Sequence, residues 1–293
     1  MFVKTLQNCE DGKEGYNGGW FVPGQSSGSD CRRGIGNVGV IVDEKPLLRF
    51  CSIAKRFPGV TALQGVSFEV RRGACHAWMG ENGAGKSTLG KILAGVLRPD
   101  EGHFELEGRP RCFHSPRDAR RAGIGIVHQE LSFCPNLSVA ENLCLASLPR
   151  RRGVFDRSAT WARARQFLAE VGAECDVHEE MGRLPAGQTQ LVQIATAVAG
   201  GARVLVLDEP TSSLSAADSQ RLEELIGRLR RRGTTIIYVS HRMEEIFRIC
   251  DTVTVLRDGQ HVATLPTAEA DEDGLVRLMI GRPPAMRACL SNG

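Results

Sequence analysis

The sequence has few aromatic residues, no long apolar run and no large excess of charge of either sign. Aromatic residues make up 5% of the 293 residues, so aliphatic side chains are expected to fill the core. No apolar stretch approaches the roughly 18 residues that cross a bilayer, and residues 1–15 lack the apolar segment of a secretory signal. The net charge of +3 does not predict a nucleic-acid partner. We therefore do not expect a membrane-spanning protein, a secreted protein or a nucleic-acid-binding protein.

The ten cysteines include no C-x-x-C pair, which is the spacing typical of zinc sites and redox motifs. Their scatter along the chain is typical of reduced thiols in a cytosolic protein. We expect several of them to be small core residues, because free cysteine packs as a small apolar side chain.

The composition divides the chain into three parts. Residues 1–45 contain nine glycines and no sustained periodicity, and are interpreted as a flexible leader. Residues 46–282 have the pattern of a folded domain, and residues 283–293 form a short tail. Glycines from Gly34 onward match the dinucleotide-binding pattern G-x-G-x-x-G. We reject that interpretation because no strand precedes them and no helix follows.

Short apolar runs alternate with amphipathic stretches in the folded part. Strands are predicted at 66–70, 74–79, 204–207 and 234–239, and helices at 87–97 and 220–232. Strands that alternate with helices favour an α/β fold with a largely parallel sheet. Over about 135–184 the strands vanish and helical periodicity dominates, which predicts an inserted helical subdomain.

Residues 80–88 match G-x-x-x-x-G-K-[ST], the phosphate-binding loop, between a predicted strand and a predicted helix. Glycines let backbone N–H groups turn inward around phosphate oxygens. Lys86 would place a positive charge on the β- and γ-phosphates, and Ser87 would offer its hydroxyl to Mg²⁺. The motif therefore predicts nucleotide binding. Its residues are Gly80, Glu81, Asn82, Gly83, Ala84, Gly85, Lys86, Ser87 and Thr88.

Two carboxylates, Asp208 and Glu209, follow the predicted strand at 204–207. Strand ends are where α/β sheets place ligand groups. Asp208 is expected to hold Mg²⁺ through water, and Glu209 to polarise an attacking water. On their own, two acids after a strand are typical of a solvated turn. The phosphate loop makes the catalytic interpretation the favoured one.

About residues 47–282 resemble the ATP-binding subunit of an ABC transporter, and most of all the simple-sugar importers for ribose, galactose and xylose. The motif around Gln129 matches the family's Q-loop, in the His-Gln-Glu-Leu form of the sugar importers. Residues 135–142 match the segment that faces the membrane subunits, and the motif around His241 matches the switch region. The resemblance implies a P-loop NTPase fold with a RecA-like core and the inserted helical subdomain.

The resemblance also implies roles. Two such domains would sandwich two ATP molecules, each between the phosphate loop of one domain and the signature segment of the other. Glu209 would be the general base, and His241 would brace the γ-phosphate and the water. Gln129 would contact Mg²⁺ and couple closure to the membrane subunit. Phe57 occupies the position where the family stacks an aromatic ring on adenine, the alternative being a core residue. The signature segment is Leu184, Pro185, Ala186, Gly187 and Gln188.

Two segments depart from the family pattern. The signature usually begins Leu-Ser-Gly-Gly-Gln, whereas here Pro185 replaces the serine and Ala186 the first glycine. Pro185 lacks the serine hydroxyl that would contact the partner's γ-phosphate. Proline is tolerated there because its missing N–H is unused in the first turn of a helix. Ser215 stands where most ABC proteins carry aspartate. Sugar importers often vary at both places, so we expect two unequal ATP sites rather than inactivity.

The resemblance is to the N-terminal half of sugar-import ATPases that carry two ATPase halves in one chain. It implies ATP and Mg²⁺ as ligands, membrane permease subunits and a second ATPase domain as partners, and a periplasmic sugar-binding protein as an indirect partner. The expected location is peripheral, at the cytoplasmic face of the inner membrane. The alternative is a truncated or hydrolysis-impaired ATP-binding fragment that lacks its second half.

Other classes fit less well. A DNA-repair ABC protein would need a coiled-coil insertion, and a translation ABC protein would need paired ATPase domains. A small-molecule kinase would explain neither Gln129 nor His241. Five further histidines are expected to have structural roles alone, namely His76, His103, His114, His178 and His261.

Overall fold

A computed structural model describes residues 45–127 and 133–281. Three of the predictions fall outside the described residues: the flexible leader apart from its last residue, the C-terminal tail, and the Q-loop residue Gln129. The predicted domain boundaries therefore stay predictions.

The described residues form twelve strands and eight α-helices. The strands are β1 (Leu48–Phe57), β2 (Val60–Val70), β3 (Cys75–Met79), β4 (Glu101–Leu106), β5 (Arg109–Arg111), β6 (Ile124–Val127), β7 (Arg150–Arg151), β8 (Val154–Phe155), β9 (Val204–Asp208), β10 (Thr235–Val239), β11 (Thr252–Arg257) and β12 (Gln260–Pro266). The helices are α1 (Lys86–Leu93), α2 (Pro116–Arg121), α3 (Val139–Cys144), α4 (Arg157–Val171), α5 (Ala186–Ala199), α6 (Ala216–Arg231), α7 (Met243–Ile249) and α8 (Glu272–Ile280).

The central sheet has six strands in the order β12-β11-β3-β10-β9-β6. Its neighbours are parallel except for the antiparallel pair β11 and β12. Strands β3 and β10 are buried along their whole length, as expected for a parallel sheet covered on both faces. Because β10 lies between β3 and β9, the three loops that leave their carboxyl ends emerge side by side. The α/β prediction with a largely parallel sheet is confirmed for this part.

A second sheet of four antiparallel strands, in the order β2-β1-β4-β5, was not predicted. Only the last part of β2 was recognised from its alternating pattern. The few aromatic residues concentrate where this sheet packs on β3. The Phe50 ring lies 4.7 Å from Phe68 and 5.7 Å from Trp78, measured between centroids. The described residues form two core clusters, and these aromatic rings belong to one of them. The prediction of an aliphatic core is correct for the other cluster, in which Tyr238 is the one fully buried aromatic residue among those described.

Helices α3, α4 and α5 pack together and bury apolar residues such as Leu143, Leu168 and Val192 in the same core cluster as Tyr238. Two details differ from the predicted helical subdomain at 135–184. Strands β7 and β8 form a small hairpin inside it, where the sequence predicted no strand, and α5 begins after residue 184. The hairpin has only two residues per strand, too few for an alternating pattern to be seen.

The predicted helices differ from the observed ones at their ends. Helix α1 stops at Leu93 rather than at residue 97, because Gly95 takes a left-handed φ of 70° and breaks the helical path. Helix α6 begins earlier than predicted, since Ser215 caps it by accepting a hydrogen bond from the Asp218 N–H.

The described cysteines are free thiols, as predicted. Cys75, Cys144 and Cys250 are buried as small core residues. The remaining described cysteines are half-buried or exposed: Cys51, Cys112, Cys134 and Cys175.

Candidate functional site

The loop between β3 and α1 requires glycine at two positions. Gly80 has a φ of 154°, and a Cβ there would collide with the backbone oxygen of Leu256. Gly85 has a φ of 100° and precedes the first turn of α1, where a Cβ would lie 2.7 Å from the Ala62 oxygen. Larger residues at either position would be strained and would displace the loop. These two glycines therefore let the backbone lie close to neighbouring strands.

Lys86 is the first residue of α1, and 7% of it is exposed. Its ammonium donates to the carbonyl oxygens of Gly80 at 2.7 Å and Glu81 at 2.9 Å. Burial lowers the pKa of this amine, while the carboxylates of Glu209 and Asp208 act in the opposite direction. Lys86 is thus held over the loop as a partly desolvated cation, which strengthens its attraction for an anion.

The loop and the carboxylates of β9 line one cavity of about 180 Å³. Its lining residues include an amine, two hydroxyls and two carboxylates, although the two segments lie far apart in sequence. The lining residues are Asn82, Gly83, Gly85, Lys86, Ser87, Thr88, Asp208 and Glu209.

Glu209 follows β9 with a φ of 46°, in the left-handed region that residues with side chains rarely adopt. Its N–H donates to the Val239 oxygen at 2.8 Å, which ties this turn to the end of β10. Two residues beyond Val239, the Nδ1 atom of His241 lies 3.0 Å from Oε1 of Glu209. The structure therefore brings the two candidate catalytic side chains into hydrogen-bonding distance, and backbone strain of this kind concentrates at functional sites.

A buried carboxylate next to this pair was missed by the sequence reasoning. Glu245, in α7, is 5% exposed. Its Oε1 atom accepts hydrogen bonds from Thr211 Oγ1 at 2.8 Å and Arg242 Nη1 at 3.2 Å. Its Oε2 atom accepts from Tyr238 Oη at 2.8 Å and Ser240 Oγ at 3.3 Å. Burial raises the pKa of the Tyr238 phenol, and Glu245 adds to that shift. The signal available in the sequence was a glutamate one helical turn after a candidate histidine.

The signature segment lies at the start of α5. Pro185 precedes the helix and Ala186 begins it, and both are exposed. Gly187 is buried, and a Cβ on it would lie 2.5 Å from the Asp218 carboxyl carbon. Gly187 therefore packs closely against α6 of the same chain. None of residues 184–188 lines the 180 Å³ cavity.

Ser215, the second departure from the family pattern, has a clear local role. Its hydroxyl accepts from the Asp218 N–H at 3.2 Å and donates to the Asp218 carboxylate at 2.6 Å. Serine and aspartate are both strong residues for capping a helix N-terminus. Serine at this position therefore keeps the start of α6 intact.

Phe57, at the end of β1, is 40% exposed. The alternative of a core residue is therefore wrong, and stacking on adenine stays a prediction. The histidine His76 has the structural role that was expected. It is buried, its Nε2 atom lies 2.7 Å from Thr254 Oγ1, and burial lowers its pKa to about 3.

Cys51, His103 and Glu105 bring a thiol, an imidazole and a carboxylate within 4.8 Å of one another on the four-stranded sheet. The spacing rules for metal motifs could not find them because they come from two paired strands. Arg49 lies 3.5 Å from Glu105, and burial raises the pKa of the Cys51 thiol. Both effects oppose a cation, so we assign this cluster no site.

Among the residues that the structure describes, no helix has the length and hydropathy needed to cross a membrane.

Comparison with known proteins adds three findings. Residues 63–212 match the family described as ABC transporter. The chain is 50% identical over 237 residues to the arabinose import ATP-binding protein AraG of Chromohalobacter salexigens, covering 80% of this chain and 48% of that protein. It is 50% identical over 240 residues to the ribose import ATP-binding protein RbsA 2 of Rubrobacter xylanophilus, covering 81% of this chain and 46% of that protein. The chain thus spans about half the length of the curated relatives it matches.

The fold also matches a solved structure. The crystal structure of a nucleotide-free ATP-binding cassette from an ABC transporter superposes with a TM-score of 0.70 at 23% identity. The match covers 82% of this chain and 96% of that one. At this identity the likeness is one of fold, and it supports the P-loop α/β assignment.

Proposed function

Because the chain belongs to the ABC transporter family, we propose that it binds and hydrolyses ATP as the ATP-binding subunit of a monosaccharide importer. One observation carries this proposal. The phosphate loop, Asp208 and Glu209 line one cavity, and His241 is hydrogen-bonded to Glu209. A loop that only turned the chain would need neither the buried Lys86 nor the two carboxylates opposite it.

The residues divide the chemistry between them. The loop N–H groups and Lys86 bind and orient the phosphates, because desolvated donors hold anions strongly. Glu209 accepts a proton from the attacking water, and His241 orients that water and the γ-phosphate. Phe57, exposed at the end of β1, supplies the surface for adenine.

The donor set fits a magnesium ion. The Ser87 hydroxyl and the Asp208 carboxylate line the same cavity, and Mg²⁺ prefers oxygen ligands such as these. These two residues would hold the ion with Gln129 as a third. When bound, Mg²⁺ supplies charge that offsets the phosphate oxygens.

A membrane partner is proposed from the groove beside residues 135–142. A cavity of about 720 Å³ there is lined by apolar side chains that include Phe133, Leu145 and Met181. Leu145 is 51% exposed. Ser138 and Glu141 form a reciprocal capping box that fixes the start of α3 beside this groove. We propose this groove as the surface that receives a permease helix, with the chain at the cytoplasmic face of the inner membrane.

The names of two relatives specify arabinose and ribose import and support a proposal for the substrate class. We propose a pentose or a similar monosaccharide as the cargo, delivered by a periplasmic binding protein. We also propose a second ATPase domain as a partner, which is supported by the absence of the signature residues 184–188 from the lining of this chain's own cavity.

The test has two stages. Phosphate release from ATP is measured against chain concentration, with and without Mg²⁺, and should rise more steeply than linearly as domains associate. The chain is then co-expressed, in cells that lack their arabinose ATP-binding subunit, with the half of that subunit that it does not match. Restored arabinose uptake supports import. Turnover that is proportional to concentration down to the lowest levels contradicts the two-domain mechanism.

A second candidate, an ATP-binding chain with impaired hydrolysis, is favoured by Pro185. It has no hydroxyl and precedes α5 without a side-chain cap. If this residue limits turnover, Pro185→Ser should raise phosphate release several-fold at high chain concentration, because serine restores both a donor and a helix cap. Pro116→Ser, an exposed proline at the first turn of α2, is the matched control. An unchanged rate in Pro185→Ser removes this candidate.

A further inference from the structure

Three of the four donors to Glu245 come from the two loops that carry the candidate catalytic pair. Thr211 lies two residues after Glu209 in the loop that follows β9. Ser240 and Arg242 flank His241 in the loop that follows β10, and Tyr238 lies in β10 itself. One carboxylate thus joins both loops, and it is not among the residues that line the 180 Å³ cavity.

The chemistry of these contacts is that of an anchor. A buried carboxylate is costly unless its oxygens are hydrogen-bonded, and an ionised carboxylate offers about four acceptor positions. Both oxygens of Glu245 accept two hydrogen bonds each. Ser240 is held further, since its Oγ accepts the Arg242 N–H at 3.0 Å. The backbone on each side of His241 is therefore fixed, while its own side chain is 59% exposed.

We propose that Glu245 is a positioning residue that sets His241 against Glu209 for ATP hydrolysis, which rests on the function proposed above. Glu245 acts through the two loops and contacts no substrate. Without its anchor, His241 would keep its place in the sequence but lose its fixed distance from Glu209. Misplacement of a catalytic group by about 1 Å can lower a rate by about 100-fold.

The informative substitution is Glu245→Gln. The amide has the same shape but no charge, and its NH₂ group can only donate. The hydroxyls that face it must turn to accept, and the hydrogen bond from Arg242 loses its charged partner. The matched control is Glu244→Gln, the same change at the exposed neighbouring residue of α7. Thr211→Val is a milder variant that removes one donor and keeps the carboxylate, and it is used if Glu245→Gln does not fold.

The experiment measures kcat and nucleotide affinity of the full chain for wild type, Glu245→Gln, His241→Ala and the double variant. We expect Glu245→Gln to lower kcat by about 10- to 100-fold with unchanged nucleotide affinity, because the phosphate loop makes no contact with it in the network described. In the His241→Ala background, Glu245→Gln should lower kcat no further. A merely structural residue would lower kcat by the same factor in both backgrounds, and that result overturns the proposal. A wild-type kcat in Glu245→Gln overturns it as well.

A second readout separates this proposal from the proposed function. If wild type releases no phosphate at any concentration, the proposed hydrolysis fails and kinetics cannot be used. Histidine ring NMR spectra, assigned with His241→Ala, then carry the test. The His241 signal should shift or broaden in Glu245→Gln and stay in place in Glu244→Gln. An unmoved signal in Glu245→Gln overturns the positioning role.

Discussion

Helices α1 and α5 both begin without a side-chain cap, and they differ in what surrounds their first turns. Gly85 precedes α1 and Pro185 precedes α5, and neither offers a capping oxygen. By contrast, side chains cap the starts of α2, α3, α4, α6 and α8. The unsatisfied N–H groups of a first turn attract anions, so an uncapped start suits a phosphate.

The surroundings of the two helices separate a nearly complete site from an incomplete one. The start of α1 adjoins a cavity with a buried lysine and two carboxylates. Pro185 and Ala186, at the start of α5, are exposed, and no residue of α5 lines that cavity. We infer that the first region binds nucleotide with this chain's own residues, whereas the second functions only against another domain. Four substitutions test this contrast.

Glu209→Gln should have the largest effect, at the first region. The amide keeps the shape of the carboxylate but cannot accept the water's proton, so phosphate release should fall by about 100-fold or more. Nucleotide binding should remain. Phosphate release and fluorescent-ATP titration check the two halves of this expectation, with Glu224→Gln, an exposed glutamate of α6, as the control. Normal turnover would mean that another group is the base.

Lys86→Ala should weaken ATP binding by about 10- to 100-fold, the range for losing a hydrogen bond to a charged group. The fold should survive, because burial of the ammonium is itself unfavourable, as its lowered pKa indicates. Lys91→Ala, at an exposed position of the same helix, should bind ATP like wild type. Nucleotide titration and thermal unfolding are the measurements. Unaltered affinity in Lys86→Ala would remove the phosphate site from this loop.

Gly187→Ala should perturb the start of α5 and leave the site at the start of α1 unchanged. The new Cβ would press on the Asp218 carboxylate, which Ser215 holds in place. Overpacking of this kind lowers the free energy of unfolding by about 1–3 kcal/mol. In an Asp218→Ala background, Gly187→Ala should lower the free energy of unfolding little, because the Asp218 carboxylate is no longer in the way of the new Cβ. Chemical denaturation of the four chains checks this. An equal loss in both backgrounds would show that the packing is not the cause.

Substitution of His76 tests β3, the strand that leads into the phosphate loop. We expect it to have the smallest effect of the four. The folded protein keeps His76 neutral, with a pKa of about 3, while an unfolded histidine protonates near pH 6.5. The contribution of His76 to the free energy of unfolding is therefore complete above about pH 6.5 and is lost as the pH falls towards 3. Between pH 7.5 and 5.5 this amounts to about 1.4 kcal/mol of unfolding free energy.

Denaturation at both pH values compares wild type, His76→Gln and the exposed-site control His114→Gln. His76→Gln should lose less stability on acidification than wild type, by about 1.4 kcal/mol, and His114→Gln should behave like wild type. If wild type and His76→Gln lose the same amount, His76 ionises in the folded state.

The phosphate loop was predictable from sequence because its chemistry is local. Nine consecutive residues set the backbone angles, the cation and the first turn of α1, so the motif and its position between a strand and a helix could be read directly. The buried strands β3, β9 and β10 were likewise predicted, since a parallel sheet covered on both faces needs continuous apolar runs.

Contacts between distant segments were decided by the order of the strands. Because β10 lies between β3 and β9, the loop with His241 meets the turn at Glu209, and Glu245 anchors both. The four-stranded antiparallel sheet and its aromatic cluster depend in the same way on pairing between β1 and β4. Periodicity reveals which face of a strand is buried but not which strand lies beside it, because burial is a property of one segment and pairing is a property of two.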